Sequence, residues 1–230
     1  MNLLFDLDGT ITDPFQGITN CIIYALAAMG RPSPPADDLR WCIGPPLKKS
    51  FFMLLNSEDD QLAEEALAKY RERFGTIGIF ENELYPDIHQ ALDDLARIGH
   101  KLFVATSKPL TYAEKIVEHF GLATYFQRVY GSELDGTRSD KATLISYILQ
   151  QEAIASSNAV MIGDRKHDIL GAKANGIASV GVLWGYGTKD EIDHSEADIC
   201  ITSPKHLVWA IDKLPNNCMQ RTRKDRTADA

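Results

Sequence analysis

Five short apolar runs, separated along most of the chain by amphipathic helical stretches, constrain the fold of this 230-residue sequence more than any other feature. They are Leu3 to Phe5, "KLFVAT" (101–106), "RVYGS" (128–132), "AVMIGD" (159–164) and "ASVGVLWG" (178–185). Each reads as a buried strand. Between the second and the fifth, "LTYAEKIVEHFG" places Ala113, Ile116, Val117 and Phe120 on one stripe and stops at Gly121. "DKATLISYILQQE" does the same with Leu144, Ile145, Ile148 and Leu149 behind Ser139 as N-cap, and "DILGAKANG" ends on Gly176. Short strands alternating with helices predict an α/β fold, a parallel sheet with helices on both faces.

Between the first and second strands the connection is far longer than one crossover needs. Asp13 and Pro14 open it as an N-cap and N1 pair, and Ile18, Cys21, Ile22, Ala25, Leu26 and Met29 follow at helical spacing. A second helix starts near "GPPLKKSFFMLL", and a third runs from Ser57 as N-cap to Gly75 with Leu62, Ala66, Tyr70 and Phe74 on its stripe. The expected organisation is an α/β core of residues 1–14 plus 81–215, an all-helical inserted cap of 15–80, and a disordered polar tail of 216–230.

A formal charge of −8 argues against a nucleic acid polymer as partner, because phosphate backbones are bound by basic surfaces. The four cysteines, Cys21, Cys42, Cys200 and Cys218, have no metal-ligand spacing and suit a reducing compartment. Neither a leader sequence nor a run of about 18 apolar residues is visible, so the expectation is a cytoplasmic chain without a membrane partner. No heptad seam is present, and a monomer is the default.

In open parallel sheets ligands bind beyond the carboxyl ends of the strands. Sorting polar residues by that rule gathers Asp6 and Asp8 after the first strand, Thr106, Ser107 and Lys108 after the second, and Asp164 with Asp168 after the fourth. Lys141, opening the helix before the fourth strand, can reach the same rim. Asp6 and Asp8 stand two apart, a spacing that in extended backbone points both carboxylates to one face. Like charges so placed are costly as structure, and useful when one is a nucleophile and the other a proton donor. Each piece alone has a bland reading as a turn, a helix cap or a solvated lysine. Their joint occurrence in this order does not.

"DLDGTITD", "TSKP", Lys141 and "GDRKHD" resemble the four motifs of the haloacid dehalogenase superfamily of phosphohydrolases, over nearly the whole chain to about residue 214. The insertion resembles the small helical cap of that superfamily's phosphoglycolate phosphatase-like branch, and "IGPPL" and "GDRKHDILGAKANGI" resemble its phosphoglycolate phosphatases and 5′-nucleotidases. The resemblance implies a Rossmann-like core. Asp6 would carry an aspartyl-phosphate, and Asp8 would act as general acid and base. Thr106, the Ser107 amide and Lys141 would hold the phosphoryl oxygens. Mg²⁺ would sit on Asp6, the Asp8 carbonyl and Asp164, with Asp168 orienting the shell. Four carboxylates and a phosphate dianion exceed what Lys141 balances, which independently asks for a divalent cation. Thr10 would brace the loop.

The implied activity is a Mg²⁺-dependent phosphatase of small phosphorylated metabolites, either phosphoglycolate or a nucleoside 5′-monophosphate. A phosphosugar mutase with the same paired aspartates is the alternative, and a catalytically silent binding protein a remote one. Substrate choice falls to "RWCIGPPLKKSF" (40–51), where Lys48 or Lys49 would meet a second anionic group and Trp41 would stack a base. The bland readings are solvated lysines, cap-core Trp41, Phe51 and Phe52, and a surface His167. "GVLWGYG" (181–187) lacks nucleotide-loop spacing and reads as a strand end with its loop.

Overall fold

In the computed structural model, which describes residues 1–214, the first apolar run becomes the middle of a six-stranded sheet. The tail expected at 216–230, with Cys218, lies outside the described residues. The chain runs through β1 (Asn2–Phe5), β2 (Thr12–Asp13), α1 (Phe15–Ala28), a 3₁₀ turn at Ala36–Cys42, α2 (Leu47–Leu55) and α3 (Asp60–Phe74). It continues through β3 (Glu83–Leu84), α4 (Ile88–Arg97), β4 (Lys101–Pro109), α5 (Leu110–His119), β5 (Phe126–Ser132) and α6 (Lys141–Gln151). Then follow β6 (Ala159–Gly163), α7 (Lys166–Ala174), β7 (Ala178–Val182), α8 (Lys189–His194), β8 (Ile199–Ile201) and α9 (Leu207–Lys213).

The large sheet has the order β5-β4-β1-β6-β7-β8, with every neighbouring pair parallel. After β1 the chain builds outward through β4 and β5, then crosses to the other side for β6 to β8. The order therefore reverses at β1, and the crevice a ligand would use lies beyond the carboxyl ends of β1, β4 and β6. Leu3 and Phe5 belong to the apolar cluster on one face, and Leu4 packs with Leu144, Ile145, Ile148 and Ala172 of α6 and α7 on the other. Covering both faces explains why the strand reads as continuously apolar.

The inserted helices bury the stripes their spacing predicts. Ile18, Cys21, Ile22, Ala25 and Leu26 of α1 are buried, as are Ala63, Ala66, Leu67, Tyr70 and Phe74 of α3, and these join the apolar cluster of the sheet face. Leu62, expected on the α3 stripe, is only half-buried, and Leu67 takes its place.

Several sequence expectations shift. β8 was not foreseen, because a three-residue edge strand among polar neighbours carries too little periodic signal. β4 runs on through "TSKP" with a register irregularity between Ala105 and Pro109, where a turn was expected, and β7 stops at Val182 rather than 185. Asp140, not Ser139, caps α6, its carboxylate accepting from Thr143 N at 2.9 Å. Asp59, not Ser57, caps α3, and Ser57 instead holds the Asp59 amide. In both cases the carboxylate next to the helix out-competes the nearby hydroxyl. Asp13 does accept from Phe15 N at 3.0 Å, although α1 begins one residue past Pro14.

Candidate active site

At the switch point three carboxylates converge. Asp6, Asp164 and Asp168 are all buried, and each offers an oxygen within 4.8 Å of the others. β1 ends at Phe5, so Asp6 is the first residue off the strand, its amide still bonded to Ile162 O at 2.9 Å. Its Oδ1 accepts the Leu7 amide at 2.8 Å and lies 3.0 Å from Lys141 Nζ. Lys141 is itself buried at the start of α6, donates to Ala105 O at 2.9 Å and lies 2.8 Å from Asp168 Oδ1. Burial opposes the ammonium, but the two flanking carboxylates win and hold Lys141 above the ordinary lysine range, so it stays charged.

One lysine cannot neutralise three carboxylates. Among the described residues Asp164 has no cation within ion-pair distance. It is held by the Tyr186 amide at 2.7 Å and by Thr10 Oγ1 at 3.4 Å. Burial, then the charges of Asp168 and Asp6, push its carboxyl well above the usual range. Asp168 is pushed up by burial against the pull of Lys141, and its Oδ2 accepts the Arg165 amide at 3.1 Å. A buried all-oxygen cluster with surplus negative charge is the donor set a hard divalent cation requires. The residues present fit such an ion.

Asp8 does not share this cluster through its side chain. Instead of continuing the strand beside Asp6, the chain turns, and Asp8 Oδ2 pairs with Lys108 Nζ at 2.8 Å. Its other oxygen, Oδ1, is buried and accepts no hydrogen bond among the described residues. Burial raises the Asp8 carboxyl and Lys108 pulls it down, with burial the larger effect. The expected like-charge cost is thus relieved by giving each aspartate its own lysine. Thr106 Oγ1 accepts the Lys108 amide at 3.2 Å within the irregular end of β4, which fixes the backbone that aims the Lys108 side chain.

The approach of the chain to Asp164 depends on glycines. Gly9 has φ +85°, and a Cβ there would overlap the Asp164 carboxylate. A Cβ at Gly185 would collide with Gly9 O and the same carboxylate. "GVLWGYG" is a strand end with its loop, as its spacing suggests. That loop wraps Asp164, donates the Tyr186 amide to it, and ties Trp184 Nε1 to Thr10 O at 3.0 Å.

Above Asp8 opens a cavity of about 430 Å³ between the inserted helices and the sheet edge. Asp8, Ser107 and Lys108 line it on the core side, while Phe52, Tyr70, Phe74 and Tyr112 supply aromatic walls. Lys108 lies 4.6 Å from the centre of the Phe74 ring, so this cation touches both the core acid and the inserted helix α3. Lys48 and Lys49 also line the cavity, but Lys48 is already engaged by Asp60 and Glu64 at 2.7 Å each. Trp41 is 39% exposed and does not line the cavity, which removes it from the role of base-stacking residue. Phe51 is core, and Phe52 is the aromatic that faces the cavity. His167 is half-buried and lies outside the lining.

Thus Asp6, Lys141, Asp164 and Asp168 form one contact group, Asp8 and Ser107 line the cavity, and Thr106 is buried behind Lys108, whose amide it accepts. Sequence reasoning left Lys108 and Tyr186 without a role. The first was visible in "TSKP" as a cation after a strand, and the second in a glycine-flanked position just past another strand.

A sequence profile described as haloacid dehalogenase-like hydrolase matches residues 3–182. The chain belongs to the haloacid dehalogenase-like hydrolases. A 5′-nucleotidase of Pseudomonas aeruginosa is 47% identical over 191 residues, spanning 83% of this chain and 86% of the relative. PtkA of Mycobacterium tuberculosis, named a tyrosine-protein kinase, is 38% identical over 197 residues, 86% of this chain and 67% of the relative. The crystal structure of a predicted phosphatase from Clostridium acetobutylicum superposes with a TM-score of 0.89 at 40% identity, covering 93% of this chain and 98% of the other. Within that family this chain is a phosphoric monoester hydrolase, an enzyme of phosphorylated small molecules. Phosphatases of the family generally use a divalent metal, in keeping with the acidic cluster. Among the described residues no helix is long and apolar enough to cross a membrane.

Proposed function

We propose that this chain is a Mg²⁺-dependent phosphatase of nucleoside 5′-monophosphates, working through an aspartyl-phosphate on Asp6. The observation that carries the reading is the separation of the two aspartates. Asp6 sits with Lys141 in the metal-fitting cluster, while Asp8 sits apart on Lys108 at the mouth of an aromatic cavity.

An Asp6 carboxylate oxygen forms a bond to phosphorus as the ester P–O bond breaks. Asp8, its carboxyl raised by burial, gives its proton to the departing alkoxide. Lys108 then stabilises the carboxylate so formed. In the second half, water attacks phosphorus, its proton returns to Asp8, and the bond to Asp6 breaks. Lys141, Thr106 and the Ser107 amide would hold the phosphoryl oxygens as charge spreads over them. Asp6, the Asp8 carbonyl and Asp164 would hold Mg²⁺, with Asp168 orienting that shell, and the ion would supply charge neutralisation on the phosphoryl group. Asp8→Asn is expected to lower kcat by about 10² to 10⁴ in both half-reactions, read as slowed formation and slowed decay of the phosphoenzyme.

The inserted helices act in this reading as a cap that receives the leaving group and excludes water. A two-carbon phosphoglycolate would fill little of a cavity of about 430 Å³. Nor does Lys48 await a carboxylate, since Asp60 and Glu64 already hold it. Aromatic walls with scattered polar groups suit a nucleoside, and the Pseudomonas relative is named for such substrates. Steady-state assays over a panel of phosphate esters test this. A kcat/KM for nucleoside 5′-monophosphates at least about tenfold above that for 2-phosphoglycolate is expected, roughly 1.4 kcal/mol of leaving-group binding. The reverse order, or isomerisation of β-glucose 1-phosphate without phosphate release, defeats the assignment.

A further inference from the structure

Arg165 follows Asp164 directly, yet its side chain leaves the acidic cluster altogether. Its guanidinium Nη1 donates to Ile43 O in the strap between the 3₁₀ turn and α2, and its Nε pairs with Glu191 Oε1 at 2.9 Å. Glu191 also accepts the Lys166 amide at 2.8 Å, so the carboxylate that aims the guanidinium is itself tied to the start of α7. Gly44, at φ +103°, lies so close that a Cβ would stand 3.0 Å from Arg165 Cγ. Nearby, Arg40 lies over the Phe15 and Tyr186 rings at 5.0 and 5.2 Å. The strap 40–44 is thus gripped from the core by two residues, Arg165 and Tyr186. The same two residues give their backbone amides to Asp168 and Asp164.

The strap matters because Cys42, Gly44, Pro45, Pro46 and Leu47 line the cavity, whereas Arg165 does not. We propose that Arg165 is a positioning residue that sets the wall of the leaving-group cavity by holding the Ile43 carbonyl. The inference rests on the reading that this cavity receives the leaving group. A partly buried, charge-assisted bond to a backbone carbonyl locates a loop more sharply than apolar packing does. Glu191 keeps the long arginine side chain in one arrangement, so little rotamer freedom is left to lose when substrate binds. The arrangement also makes the strap and the acidic cluster answer to one short segment, 164–168. Specificity and catalysis are then built on a shared support rather than on separate loops.

The test uses the full chain in Mg²⁺-containing buffer, with adenosine 5′-monophosphate as a substrate that fills the cavity and acetyl phosphate as one that does not. Arg165→Gln is expected to raise KM for the nucleotide about tenfold, with kcat and the acetyl phosphate kcat/KM within about threefold, the signature of lost ground-state positioning. Arg165→Lys, which keeps the charge but not the fork, is expected to recover part of that KM. Glu191→Ala, which leaves Arg165 in place but unaimed, should shift KM in the same direction by less. Equal losses on both substrates, or an unchanged nucleotide KM, overturn the proposal. Amide hydrogen exchange gives a second reading that needs no substrate. Arg165→Gln should speed exchange across 40–49 by about tenfold relative to β1 and β6, and unchanged protection there overturns the latch by itself. A wild-type enzyme that does not discriminate between the two substrates counts instead against the cavity as leaving-group site, and the exchange result still decides the role of Arg165.

Discussion

Asp6→Asn is expected to abolish turnover, by roughly 10⁴-fold or more in kcat, while leaving the protein folded. The amide is close to isosteric with the carboxylate, and its oxygen can still accept the Leu7 amide that Asp6 Oδ1 accepts at 2.8 Å. Lys141 keeps two of its three partners, Asp168 and Ala105 O. What disappears is the oxygen nucleophile. Among the described residues the neighbouring carboxylates are committed elsewhere: Asp164 to Tyr186 and Thr10, Asp168 to Lys141 and the Arg165 amide, and Asp8 to Lys108. Removing one of three clustered negative charges also eases the repulsion that raises Asp164, so the melting temperature of the metal-free variant should equal or exceed that of the wild type. Two measurements check this: phosphate release, and capture of labelled phosphate on the denatured protein after an acid quench. Wild-type rates, or label retained on the variant, would remove Asp6 from its role.

How far the site was legible can be argued residue by residue. Asp6, Lys141, Asp164 and Asp168 come together because each follows or precedes a strand end at the reversal of sheet order, and both strands and ends are periodic features of sequence. The helices of the insertion were equally visible, being long and amphipathic. What escaped has a common cause. Lys108 and Tyr186 act through backbone that departs from regular structure, an irregular strand end for the first and a loop for the second, and its direction is set by bonds such as Thr106 Oγ1 to the Lys108 amide, which no period announces. The role of Lys48 depended on whether Asp60 and Glu64, one helix later, fold back onto it, a long-range contact outside any local pattern. β8 is too short to carry a period, and the two displaced caps failed because neighbouring residues compete for the same backbone groups and tertiary context chooses between them.

The second large effect concerns the ion. Chelation by EDTA is expected to lower activity by about 10³-fold or more, because a divalent cation at a developing phosphoryl charge supplies several kcal/mol, and readdition of Mg²⁺ should restore it. The stability of the metal-free protein carries the more discriminating sign. Asp164, raised well above its ordinary range, and Asp168, raised to about 6, hold protons more tightly folded than unfolded. At these two sites the folded state therefore binds more protons than the unfolded chain, so their contribution to stability falls as pH rises from the usual carboxylate range near 4 through about 6, against the opposite contribution of lowered carboxylates such as Glu81 and Glu191. That is the reverse of the common acid-labile case, in which paired carboxylates are lowered. A cation bound among the same oxygens takes the place of the protons and should flatten the fall. At a hundred times its dissociation constant it adds about 2.7 kcal/mol, or roughly 5 to 10 °C in melting temperature for a chain of this length. Thermal melts at pH 5 and 7.5, with and without Mg²⁺, measure both effects, and Asp164→Asn should reduce each while leaving the share of Asp168, which burial and Asp6 raise. A metal-free wild type that loses no stability relative to Asp164→Asn over that interval, or a protein indifferent to added Mg²⁺, would mean that the carboxylates of 6, 164 and 168 are balanced by the chain itself, and the case for an ion in this site would end there.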